Sequence, residues 1–150
     1  MTLLMVLSDT LVESRQLLDY VNAMADFQVH VVLLSVPPSG REASLEISHR
    51  VLEQARQALQ ITGAEREITT RREIGDPEAI VPRVAEEERA DVILMPAFSP
   101  EEFPRLQELG ELPRTTAEQV HVPVLISSPE GLEAVLKRQR ILTVPAADLT

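Results

Sequence analysis

A chain of 150 residues with 44% hydrophobic content is long enough for one buried core and too short for two ordinary domains. Its formal net charge of −10 argues against nucleic acid, because phosphate backbones are bound by neutralising them with Lys and Arg. The chain has no cysteine, which excludes disulfides and thiolate metal sites; no apolar run approaches the roughly 18 residues of a membrane span, and the segment after Met1 lacks the basic start and cleavage site of a signal peptide, so a soluble, cytoplasmic protein without a membrane contact is expected.

In chain order, Leu3 to Leu7 is an uninterrupted apolar run, as a strand covered on both faces requires. The spacing predicts a helix near Ser14 to Ala25, with Leu17, Leu18, Val21, Met24 and Ala25 inward, and then a strand from Val29 to Val36. A longer helix near Ala43 to Ile61 turns Leu45, Val51, Leu52, Ala55 and Leu59 inward, and Gly63 ends it by supplying the left-handed conformation. Glu65 to Glu73 (EREITTRRE) is charged and β-branched, which predicts an edge strand whose charges discourage pairing with another chain.

The most informative stretch runs from Ile74 to Met95. Asp76 can accept the free N–H groups of a first helical turn, Pro77 suits the first helical position, and Glu78 suits the positive end of the dipole. The helix that follows turns Ile80, Val81, Val84 and Ala85 inward and keeps Arg83, Glu86, Glu87 and Arg89 on the wet side. Asp91 ends the pattern, and Val92 to Met95 reads as a buried strand. A fifth strand is expected at Val122 to Ser127. The alternation is a βαβ rhythm and predicts an α/β fold, with about four helices covering one open parallel sheet of five strands. In the tail, Leu132, Val135 and Leu136 lie at helical spacing, predicting a helix over Glu130 to Arg140, and Ile141 to Val144 reads as a short strand. The expected division is a domain over 1–128 and an extension over 129–150.

Catalytic constellations are absent from the sequence. The five glycines, Gly40, Gly63, Gly75, Gly110 and Gly131, are never closer than twelve residues, so Walker and dinucleotide loops are excluded. There is no G-x-S-x-G elbow. His30, His49 and His121 have no second ligand at metal spacing, so structural or solvated roles are preferred for them. Consecutive residues on a helix diverge, which makes Glu86-Glu87-Glu88 a solvated face and not an acid pair. No enzyme is expected.

The span from Leu3 to Ile126 resembles the universal stress protein family. Asp9 at the end of the first strand with Ser14 five residues on, the Gly75-Asp76-Pro77 turn leading to Ala90-Asp-Val-Ile-Leu-Met95, and Ala117-Glu-Gln-Val-His-Val-Pro-Val-Leu-Ile126 carry the resemblance. It implies a three-layer sandwich with strand order 3-2-1-4-5, where the sequence alone does not choose between that order and 2-1-3-4-5. Either order opens a crevice at the carboxyl ends of the central strands. It also implies a symmetric homodimer paired through the last strand (Val122, Val124 and Ile126). The tail, which the resemblance does not cover, can add to its own sheet, swap onto a partner as a further contact, or stay unpaired.

Family members that bind ATP use the pattern Gly, two residues, Gly, nine residues, Gly and then Ser or Thr, whose backbone N–H groups close around the phosphates. Here the first two glycine positions are Pro96 and Ser99, and the last pair can only be Gly110-Glu111, one residue out of step. Between Pro96 and Glu118, five Glu oppose two Arg. One like-charge pair roughly 6 Å apart at an effective dielectric of about 20 costs on the order of 3 kcal/mol, or about a hundredfold in affinity. The expectation is therefore a non-enzymatic, dimeric regulatory or stress-response module with a degenerate nucleotide site and no cofactor. The rival is a switch that binds ATP or AMP through a rearranged loop using Asp9, Val36 and Gly110. Asp9 either holds ligand or caps the first helix, and capping is preferred. Phe98 and Phe103 either anchor the loop against the sheet end or mark a partner surface.

Overall fold

The computed structural model describes residues 1–7, 18–19, 21–22, 29–60, 67–95, 116–128, 131–135 and 141–144. Along the chain these form β1 (Thr2–Leu7), β2 (His30–Ser35), α1 (Glu42–Gln60), β3 (Glu67–Arg72), α2 (Pro77–Glu87), β4 (Val92–Met95), β5 (Val124–Ser128), β6 (Gly131–Val135) and β7 (Ile141–Val144). Residues 18–19, 21–22 and 116–119 are also helical.

One sheet runs β3-β2-β1-β4-β5-β6-β7. The first five strands are parallel, in the order 3-2-1-4-5 that the resemblance implied. Leu3 to Leu7 of β1 and Val31 to Leu34 of β2 are buried without a break, because successive side chains enter opposite layers and both layers are covered. Leu3, Met5, Leu33 and Leu94 join Leu18, Val21, Val51, Ala55 and Leu59 in the layer of α1. Leu4, Val6, Val32, Leu34 and Ile93 join Ile80, Val81, Val84, Ala85, Ala117 and Val120 in the layer of α2. The inward faces expected for these helices are the buried ones, except that Leu45 is half-buried; Leu17, Met24 and Ala25 lie outside the described residues.

Local chemistry sets the ends of the elements. The Asp76 carboxylate accepts the N–H of Glu78 at 3.0 Å, and its carbonyl accepts the N–H of Ile80 at 3.0 Å, so α2 starts where the cap, Pro77 and Gly75 (φ 137°) permit. At the other end the Ala90 N–H reaches the Ala85 carbonyl at 2.9 Å and the Arg89 N–H reaches Glu86 at 3.1 Å, with Arg89 itself at φ 53°. This is a Schellman closure with arginine in the position glycine usually takes. Asp91 then anchors β4 to β1: its carboxylate accepts the Thr2 N–H at 2.7 Å and its own N–H donates to the Thr2 carbonyl at 2.8 Å.

Two expectations are corrected beyond β5. Gly131–Val135 is a strand, not the predicted helix: β6 turns back from β5 in antiparallel register, Ser128 against Gly131 and Val124 against Val135. The helical spacing of Leu132, Val135 and Leu136 is outweighed by the row of unpaired backbone groups that β5 would otherwise expose. Secondly, β5 is not the free edge on which pairing through Val122, Val124 and Ile126 was expected. β6 occupies that edge, Val122 precedes the strand, and Val124 and Ile126 pack into this chain's own core.

Candidate functional site

β1 lies between β2 and β4, and the crossovers leave it in opposite directions, so the crevice of the sheet opens beyond Leu7 and Met95. Asp9, Gly110 and the segment from Pro96 to Ser99 lie outside the described residues. Val36 is half-buried directly after β2 and packs against the α2-side core.

Around Val36 the carboxyl ends of β2 and β3 are tied together. The Glu73 N–H donates to the Ser35 carbonyl at 3.1 Å and the Gly75 N–H to the Pro37 carbonyl at 3.2 Å. From α1, the buried Ser48 hydroxyl donates to Ser35 Oγ at 2.7 Å. The wall beside Val36 is thus set by backbone bonds and by a pair of buried hydroxyls that satisfy each other. The sequence reading did not single out Thr116. It is fully buried at the start of the 116–119 helical segment, and its Oγ1 has no hydrogen-bond partner among the described residues. The signal available in the sequence was the Thr115-Thr116 pair directly before the apolar spacing of Ala117 and Val120.

A cavity of about 560 Å³ lies at the opposite end of the sheet, between α2 and the segment leading into β5. Ala85, Ala90 and Val120 form its buried floor, with Arg83, Glu86, Arg89, Gln119 and His121 around it. These groups are exposed and of mixed sign, with no nucleophile held against a base. Among the described residues no group of three or more His, Asp or Glu is placed to hold a metal ion. His30 donates to or accepts from Thr69 Oγ1 at 2.7 Å, and His49 and His121 are exposed.

The charged residues of β3 and α2 are less solvated than expected. Arg71 meets Glu73 at 2.5 Å, Glu87 at 2.9 Å and Glu88 at 3.0 Å, and Arg83 approaches Glu73 at 3.4 Å and Glu87 at 3.7 Å. Hydrogen bonds to Glu73, then Glu87 and Glu88, hold the Arg71 guanidinium still further above its ordinary value. This network joins an edge strand to a helix, and each of its two Arg and three Glu meets an opposite charge among the described residues.

The parallel order, the crevice beside β1 and the Gly75-Asp76-Pro77 helix start agree with a sequence match to the universal stress protein family over residues 4–128. The chain belongs to that family. The match ends at residue 128, where β5 ends, and does not include β6 and β7. Among solved structures, a universal stress protein in complex with cAMP is 18% identical, with 83% of this chain and 94% of that chain covered and a TM-score of 0.64. The universal stress protein of Archaeoglobus fulgidus in complex with dAMP is 17% identical, with 84% and 96% covered and a TM-score of 0.65. A family protein from Arabidopsis thaliana with AMP bound is 11% identical, with 83% and 89% covered and a TM-score of 0.62. At these identities the likeness is one of fold. No curated protein matches the chain in sequence.

Proposed function

We propose that this universal stress protein is a non-enzymatic regulatory module of the stress response whose nucleotide site is degenerate. One observation carries the reading: Pro96 directly follows Met95, the last residue of β4 at the crevice, where the phosphate-binding pattern calls for glycine. Proline has no N–H to offer a phosphate and its ring fills the space that a glycine leaves open. Ser99 and the Gly110-Glu111 pair depart from the same pattern, and the surplus of Glu over Arg between Pro96 and Glu118 repels a polyphosphate. A protein partner reads the surface in this proposal, and neither catalytic residue nor metal is part of it.

A second reading is favoured by the solved relatives crystallised with cAMP, dAMP and AMP. These ligands carry one phosphate, so a chain that has lost the polyphosphate cradle can still act as a nucleotide-responsive switch through Asp9, Val36 and Gly110. Calorimetric titration separates the two, using Mg²⁺-ATP, AMP and cAMP on protein first checked by mass spectrometry for carried-over ligand. No heat with any of the three supports the degenerate site. Micromolar binding of AMP or cAMP overturns it in favour of the switch, and micromolar binding of ATP shows a phosphate site built without the glycines.

A further inference from the structure

Two of the described residues break local backbone preference, and both lie on the same surface. Pro82 stands inside α2, where it gives up a helical hydrogen bond, and Arg89 holds φ 53° where glycine is usual. Both line the cavity of about 560 Å³ between α2 and the segment leading into β5. That volume lies within the range of pockets that hold small organic molecules. Local costs of this kind gather at binding sites, because elsewhere an ordinary residue folds better.

The cavity has an apolar floor and a charged rim. Ala85, Ala90 and Val120 are buried beneath it, and half-buried Pro82 and Val122 extend the apolar wall. Of the two arginines on the rim, Arg83 is engaged by Glu73 at 3.4 Å and by Glu87 at 3.7 Å. Arg89 meets no carboxylate among the described residues, in a chain whose net charge is −10. One uncommitted cation therefore stands over a hydrocarbon surface. A ligand matched to both carries one negative charge and an apolar body that leaves water as it settles on the floor. A planar carboxylate suits the fork of the guanidinium. Glu86, also on the rim, repels a second negative charge and so disfavours phosphate esters, and a bare inorganic anion gains nothing from the floor.

We propose that this cavity binds an organic monocarboxylate with a short hydrocarbon body, the carboxylate on the Arg89 guanidinium and the body on Ala85, Ala90 and Val120. The left-handed backbone at Arg89 fixes the direction of its Cβ, so the strained residue is the one that positions the cation. The cavity lies at the opposite end of the sheet from the crevice, and the inference stands whether or not the nucleotide site is degenerate.

Titration of the isotope-labelled full chain with sodium octanoate, followed through its backbone amide NMR signals, tests the proposal. The amides of Ala85, Arg89, Ala90, Val120 and Val122 are expected to shift and to saturate with a dissociation constant at or below about 1 mM. Octanamide and octylammonium, which keep the body and lose the negative charge, should bind about fivefold or more weakly, and inorganic phosphate should leave these signals in place. Arg89→Gly removes the cation and relieves the backbone, so the variant folds and should bind octanoate about fivefold or more weakly. Should it not fold, Arg89→Asn, which also tolerates the left-handed region, gives the same reading. No saturable shift up to about 10 mM octanoate overturns the proposal, since binding that weak falls short of one charge-assisted contact with a buried body. Shifts confined to another surface, equal binding of octanamide or octylammonium, the same shifts with phosphate, or undiminished binding by the Arg89 variant overturn it as well.

Discussion

The guanidinium of Arg71 donates to Glu88 Oε1 at 3.0 Å, linking edge strand β3 to the residue that closes α2. The same side chain, about one fifth exposed, also holds Glu73 and Glu87. Removing it leaves three carboxylates facing each other without their shared cation. Arg71→Met, which keeps most of the stem, should cost about 1–2 kcal/mol, between the values of exposed and fully buried pairs. Urea denaturation measures the loss, and the difference from wild type should shrink in 1 M salt, where the Debye length is about 3 Å. An unchanged midpoint shows that the network is energetically neutral.

Gly75 sits at φ 137°, and a Cβ built on it lies 3.2 Å from Ile80 Cδ1. Ile80 is buried in the α2-side core and has little room to retreat. Gly75→Ala should therefore destabilise by about 1–3 kcal/mol through backbone strain and crowding. A thermal melt reads the effect, and a neutral result shows that the turn relaxes to an ordinary φ.

Arg89 adopts φ 53° and is exposed. A side chain in the left-handed region costs roughly 1–2 kcal/mol, of which glycine returns about 0.5–1 kcal/mol as extra freedom of the unfolded chain. Arg89→Gly should raise stability by a few tenths to about 1 kcal/mol in urea. A loss instead shows that the guanidinium beside the cavity makes a contact worth more than the strain.

Pro82 lies inside α2, where it has no N–H to give the Glu78 carbonyl. Pro82→Ala restores that bond and should stabilise by about 1–2 kcal/mol, the helix gain of about 3 kcal/mol being reduced by the freedom returned to the unfolded chain. Chemical denaturation measures it. A decrease indicates that the ring packs better at the cavity wall than alanine can.

On α1, the hydrogen bond from Arg56 to Glu53 at 2.8 Å holds the Glu53 carboxyl below its ordinary value of 4.5. A depressed carboxyl contributes stability above its unfolded value and loses it as pH falls through the folded one. The difference between wild type and Arg56→Gln should therefore be largest above pH 4.5 and vanish in more acid solution. Both side chains are about two fifths exposed, so the difference is small and salt-sensitive. A difference that persists in acid assigns it to the helix itself.

The core was legible because periodicity reports directly on burial. Val31 to Leu34, the Val92–Met95 strand and the Ile80, Val81, Val84, Ala85 stripe are apolar at the spacing that their layers require. The start of α2 was legible for a similar reason, since Asp76, Pro77 and Gly75 each have a local backbone preference. The candidate site was legible only as a departure. In the proposed reading Pro96 and Ser99 take the places of glycines that would approach phosphate, and one chemical fact about proline makes that informative. The Arg71 network was missed: EREITTRRE and the three consecutive Glu residues read separately as solvated faces. Their pairing depends on β3 lying over the end of α2.

Residue chemistry along the line therefore determined β1 to β5 with α1 and α2, the apolar runs of the central strands, the wide spacing of the glycines and the start of α2, because these are properties of residues close together in the chain. Tertiary structure alone decided which strands are neighbours, that Thr116 is buried, and that Gly131–Val135 joins the sheet. The last outcome shows the physical reason most directly. Three apolar residues at helical spacing favour a helix when the segment stands alone, but beside β5 the same backbone satisfies a whole row of donors and acceptors at once.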